Sequence, residues 1–141
     1  MDCPFRFTDN MWIILSRLYT KNQIVKSFEP QVIDQVIDPE TAKRVTEILK
    51  GAVETGTGKK AQIEGVSVAG KTGTARKVID GRYVMGKYYG SFMGFAPADN
   101  PRLAAIVIID QPHPSFFGGT VSAPVFQEVI SDALKYLKVS E

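Results

Sequence analysis

Two hydrophobic periods alternate along this chain, and each stretch predicts its element by the period it follows. Residues 12–19 are rich in β-branched and aromatic side chains, residues 20–23 are turn formers, and residues 24–28 are apolar again. Residues 12–28 therefore read as a β-hairpin, which Pro30 ends. The pattern then changes to helical spacing. Ala42, Val45, Ile48, Leu49, Ala52 and Val53 fall on one face, with Lys43, Arg44, Glu47 and Lys50 elsewhere, so the apolar face is expected in the core. Asp38 can cap the free backbone donors of this helix, Pro39 at its first position has no donor to lose, and Glu40 suits its positive end. Thr55, Gly56, Thr57 and Gly58 break it and open a flexible connection through Lys60 to Gly65.

The second half reads as a sheet closed by a helix. Residues 66–78 form its first strand, Asp80-Gly81 the reversing turn, residues 82–87 a mobile extension of the hairpin, and residues 88–96 the second strand. Residues 103–110 make the third strand, reached through the prolines and Asx residues of 97–101. That strand is apolar at successive positions and is expected to be covered on both faces. The last helix spans residues 121–137, with Val125, Val129, Ile130, Ala133, Leu134 and Leu137 inward. Gly118-Gly119 turn the chain ahead of it, and Pro124 is tolerable in its first turn. The fold class that follows is α+β: an antiparallel sheet with helices on its faces, plus an N-terminal hairpin.

Composition narrows the function classes. At 141 residues and 44 % hydrophobic, the chain holds one core. Seventeen basic residues against fifteen acidic ones make no field that would recruit nucleic acid. Lys59-Lys60 reads as a solvated loop, and the glycines beside it lack phosphate-loop spacing. A single cysteine, Cys3, allows no intramolecular disulfide. His113 has no partner at metal-ligand spacing, so neither a metal nor a cofactor is expected. The longest apolar run, residues 103–109, is far short of the roughly 20 residues a membrane span requires. Residues 1–10 lack the basic start and apolar stretch of a signal peptide, so export is expected to depend on something upstream.

Chemistry concentrates in Lys71-Thr72-Gly73-Thr74-Ala75. A given triplet arises by chance in roughly one chain of this length in twenty to thirty, so Lys-Thr-Gly needs its setting on a substrate-facing strand to carry weight. Alternation along a strand sends Lys71 and Gly73 one way and Thr72 and Thr74 the other. On an edge strand the free backbone can receive an extended peptide. Gly73 would let substrate approach, the hydroxyls of Thr72 and Thr74 can bond a carboxylate, and Lys71 adds charge or assists proton transfer.

With Gly56-Thr-Gly-Lys-Lys-Ala61, Val68-Ala-Gly-Lys-Thr-Gly-Thr-Ala75, Gly90-Ser-Phe-Met-Gly-Phe-Ala-Pro97, Ile109-Asp110-x-Pro112, and Gly118-Gly119 leading to Ala123-Pro124-Val-Phe126, the chain resembles the C-terminal part of the transpeptidase domain of class B penicillin-binding proteins, within the penicillin-interacting serine enzymes. The likeness runs from about Ile13 to Leu137, so residues 12–141 are assigned to the C-terminal portion of such a domain, while residues 1–11 stand apart. The resemblance implies a partial β-lactamase/transpeptidase-like fold and a peptidoglycan stem peptide or β-lactam as ligand. It implies catalytic positions at Lys71, Thr72 and Gly73 and substrate contacts at Thr74, Thr72 and Ala75, with the Thr74 N–H completing an oxyanion hole. Ser91, Phe92 and Gly94 become sheet residues behind the cleft.

The departure is equally specific. No Ser-x-x-Lys and no Ser-x-Asn occurs in the 141 residues, and in the family both lie upstream. The chain alone is therefore expected to be inactive and to need either the missing N-terminal part of the domain or a self-association partner. Its parent is expected to be anchored in the cytoplasmic membrane, with the domain on the outer side. The alternatives are a non-catalytic peptide- or β-lactam-binding module, or part of a serine β-lactamase or β-lactam sensor domain.

Overall fold

The computed structural model describes the backbone of residues 17–20 and 23–27 and the whole of residues 36–137. Strands β1 (Arg17–Thr20) and β2 (Gln23–Ser27) pair antiparallel, with a register shift between Leu18 and Tyr19. This is the inner part of the predicted hairpin; residues 1–16, including the first positions of that predicted strand, lie outside the described residues.

Helix α1 (Pro39–Glu54) begins as the sequence dictates, because Asp38 accepts from the Thr41 N–H at 2.8 Å and from the Thr41 hydroxyl at 2.6 Å. Its apolar stripe departs from expectation. Val53 is buried, but Val45 is 43 % and Ile48 70 % exposed. Only the C-terminal half of the helix meets the sheet, where Leu49 packs on Ala69, Phe95 and Ala98, and no described element covers the rest. After α1 the chain does not form a loose connection. A short 3₁₀ turn, Lys59–Ala61, buries Ala61 completely, and Gly58 lies so close to Ala52 and the Phe92 ring that a side chain there would press on both.

Strands β3 (Ala69–Ile79), β4 (Arg82–Ala96) and β5 (Leu103–Asp110) form an antiparallel sheet in the order β3-β4-β5. Asp80 and Gly81 take φ of 50° and 75°, the left-handed pair that a two-residue hairpin turn requires. Residues 82–87, expected to be mobile, belong to β4: Ile79 pairs with Arg82 and Val78 with Tyr83 before a bulge near Lys77. β5 has the predicted bounds, but its two faces differ. Leu103, Ala105 and Val107 turn toward the main core, while Ile106 and Ile108 are 59 % and 60 % exposed. A helix covers only one side of this strand among the described residues, and β5 pairs only with β4.

Helix α2 (Gly118–Tyr136) starts three residues earlier than predicted, so Gly118 and Gly119 lie inside it and Pro124 falls beyond its first turn. Its inward face is Ala123, Phe126, Ile130 and Leu134, whereas Val125 and Val129 remain partly exposed. The larger apolar group takes the core position: the Phe126 ring packs on Phe92 at 4.8 Å between centroids, and burying each such ring stabilises by roughly 1.5–3 kcal/mol. The Ser122 hydroxyl, fully buried, donates to the Gly90 carbonyl at 2.9 Å and ties α2 to β4.

Candidate active-site strand and its cleft

The register of the sheet sorts the candidate residues onto two faces. Lys71 pairs with Met93 and Gly73 with Ser91, while Thr72 pairs with Phe92 and Thr74 with Gly90. Directly opposed residues share a face. Thr72 and Thr74 therefore point toward α2, and Lys71, Gly73 and Ala75 point away from it. β3 is an edge strand, so the backbone availability inferred from the sequence holds among the described residues.

On the α2 side lies a cleft of about 340 Å³, lined by Thr72 and Thr74 of β3, by Thr57, Lys59 and Lys60 from the loop after α1, and by residues 117–120 at the start of α2. The Thr57 and Thr72 hydroxyls are 2.9 Å apart, and the Gly118 N–H donates to the Thr74 hydroxyl oxygen at 3.3 Å. Phe117, the N-cap of α2, offers its helix no side-chain cap. The positive end of the helix and two lysines thus face a cleft whose lining contains no carboxylate. Such an arrangement is suited to an anion that accepts hydrogen bonds.

Glycines make the close packing around this cleft possible. A Cβ on Gly118 would run into the carbonyl oxygens of Ser91 and Gly73 and come within 2.9 Å of the Ser91 nitrogen. A Cβ on Gly119 would run into the Thr57 carbonyl oxygen and lie 3.2 Å from Thr72 Cγ2. At Gly73 a Cβ would sit 2.6 Å from the Ser91 hydroxyl on the same face, a group that can rotate aside.

Lys71 is exposed and has no ion-pair partner among the described residues. Sequence reasoning found Thr72 and Thr74 but missed Thr57, Lys59, Lys60 and Thr120, which share their cleft. The Gly56-Thr57-Gly58 run was the available signal, since glycines spaced around a threonine also mark close backbone packing. A larger cavity of about 450 Å³ near Glu54 and Glu64 includes no residue of the Lys71 to Ala75 segment, and its acidic lining is unsuited to the same anion. No group of residues able to hold a metal ion occurs among the described residues.

Comparison with known proteins identifies the family and the fold. Residues 13–131 match the family described as the penicillin-binding protein transpeptidase domain. The chain is 47 % identical over 120 residues to the probable peptidoglycan D,D-transpeptidase PenA of Neisseria flavescens, covering 81 % of this chain and 30 % of that protein. It is 46 % identical over 116 residues to stage V sporulation protein D of Bacillus subtilis, covering 82 % and 18 % respectively. It superposes on the TP domain of Burkholderia pseudomallei penicillin-binding protein 3 with a TM-score of 0.70 and 37 % identity, over 86 % of this chain and 36 % of that one. The chain thus spans under a third of the length of these two sequence relatives. The α+β architecture is a partial transpeptidase fold, and the chain belongs to the penicillin-binding protein transpeptidase family.

Proposed function

We propose that this chain is the C-terminal part of a serine-type peptidoglycan D,D-transpeptidase domain. Its cleft beside Thr72 and Thr74 receives the terminal carboxylate of a D-alanyl-D-alanine stem peptide or of a β-lactam. The observation that carries this reading is the convergence of two strand hydroxyls, two lysines and the N-terminus of α2 on a cleft lined by no acid. Ala75 continues the strand along which the substrate backbone lies, and the Thr74 N–H supplies one oxyanion donor. Lys71, on the opposite face, adds charge or assists proton transfer at a serine brought by the rest of the domain, beside the path that Gly73 leaves open.

Titration with N-acetyl-D-alanyl-D-alanine, followed by NMR, tests this. Thr57, Thr72 and Thr74 resonances are expected to shift with the free acid and not with its C-terminal amide; equal response to both would overturn the reading.

With no Ser-x-x-Lys in its sequence, the chain alone does not acylate. A fluorescent penicillin followed by a denaturing gel should leave it unlabelled, and a labelled band would refute this. The remainder of the domain is its partner, covering Met93, Ile106, Ile108 and the open edge of β5. No described helix is long and apolar enough to cross a membrane, and the parent is anchored in the cytoplasmic membrane with this domain on the outer side. The absent nucleophile also favours a second reading, a non-catalytic binding module. The two separate on whether the reassembled domain turns over a D-alanyl-D-alanine peptide or only binds it.

A further inference from the structure

Each hydroxyl has one proton to donate and two lone pairs with which to accept, so a threonine can serve an anion only if its proton is left free for it. In this cleft both strand threonines have a neighbouring polar group behind them. The Thr74 oxygen accepts from the Gly118 N–H at 3.3 Å, which can only donate. The Thr72 oxygen lies 2.9 Å from that of Thr57, where either group could be the donor. An anion resolves the ambiguity: once Thr72 gives its proton to the anion, Thr57 must donate to Thr72. The resulting chain, Thr57 to Thr72 to anion, is cooperative, because each donated bond polarises the next.

We infer that Thr57 is a positioning residue of the carboxylate cleft: its hydroxyl donates to Thr72 and so commits the Thr72 proton to the bound anion. The inference rests on the carboxylate reading given above and extends it to a residue that belongs to neither the strand nor the Lys-Thr-Gly triplet. The fold holds Thr57 in place. Gly119, at the start of α2, packs against the Thr57 carbonyl so closely that no side chain fits between them, and Gly58 is wedged against Ala52 and the Phe92 ring. The loop therefore holds this hydroxyl against β3. Gly118 and Gly119, adjacent in the same helix turn, thus serve the two receptor threonines separately, one through its own N–H and the other through the loop it supports. Lys59 and Lys60 line the same cleft and raise the local positive potential without fixing hydroxyl direction.

The experiment uses the full 141-residue chain with Thr57→Val, which keeps the shape and removes the hydroxyl, and Thr57→Ser, which restores it. Three quantities are measured: the affinity for N-acetyl-D-alanyl-D-alanine by NMR titration, the χ1 scalar couplings of Thr72 in the free protein, and the melting temperature. Thr57→Val is expected to weaken binding by roughly tenfold and to broaden the Thr72 rotamer distribution, while Thr57→Ser stays within about twofold of the parent. Unchanged affinity and unchanged Thr72 couplings in Thr57→Val would overturn the positioning role while leaving the carboxylate reading intact. Equal loss in both variants with lowered melting temperatures would assign Thr57 to packing and also overturn it. Failure of the unsubstituted chain to distinguish the free acid from its amide would bring down the carboxylate reading, and this inference with it.

Discussion

The ammonium of Lys77 lies 2.7 and 2.8 Å from the two carboxylate oxygens of Asp110, so a side chain rooted on β3 grips one rooted on β5 across the intervening β4. The Tyr89 ring, 4.9 Å from that ammonium, forms the floor beneath the pair. Asp110, the last residue of β5, thereby ties that strand to the β3 strand that carries Lys71 and Thr72.

The clamp has a pH signature. The hydrogen bonds that Lys77 donates to Asp110 raise its pKa above the ordinary 10.5, against the opposing effect of desolvation. A cation whose pKa is raised on folding contributes its stability fully below the unfolded value and loses it as pH climbs through the folded one. Asp110→Asn should therefore melt below the parent at neutral pH, and the gap should narrow above pH 10.5. Thermal denaturation at pH 7 to 11 measures it, and a gap that widens with rising pH would contradict the assignment.

A second tether behaves in the opposite sense. Asp99 accepts from the Ser67 hydroxyl at 2.7 Å and from Lys50 at 3.0 Å, joining α1 to the turn before β5. The Ser67 bond first, and Lys50 next, hold the Asp99 carboxyl below its ordinary 3.8. That stability is present above pH 3.8 and is lost as pH falls through the folded value. Asp99→Asn should leave a shallower acid limb in a plot of melting temperature against pH; an unaltered limb would show that the contact contributes nothing.

Two glycine-to-alanine changes should differ in sign. Gly118→Ala forces a methyl group onto the Ser91 and Gly73 carbonyls, which cannot move aside without parting β3 from β4, and is expected to destabilise by about 3 kcal/mol. Gly51→Ala lies within α1 with nothing in its way inside 4 Å and is expected to stabilise by about 0.5–1 kcal/mol. Urea titration of both variants gives the two values on one scale.

The orientation of α2 is open to the same test. Phe126→Ala should cost about 3–5 kcal/mol, because the ring is fully buried against Phe92, whereas Val125→Ala should cost under about 1 kcal/mol. Comparable losses would place both side chains in the core and reject the helix rotation described above.

Local signals were readable residue by residue. Asp38 and Pro39 marked the start of α1, Asp80-Gly81 marked the hairpin turn, and the bounds of β5 followed from its apolar run. Each depends on a preference that acts within a few residues: an orphan donor needing an acceptor, a backbone angle tolerated by few side chains, a run of branched residues. Burial was less legible. Val45, Ile48, Ile106 and Ile108 look like core from spacing alone, yet whether an apolar side chain is covered depends on an element elsewhere in space.

By itself, the order of residues determined the family, the alternation that sends Thr72 and Thr74 to one face, and the strand that carries them, since these follow from covalent geometry and from residue types along a single segment. Only tertiary structure decided that Thr57, some fifteen positions upstream, meets Thr72, and that two glycines of α2 are flush against strand and loop. Contacts of that kind depend on how closely separate backbones approach, a distance set jointly by every side chain that fits, or is missing, between them.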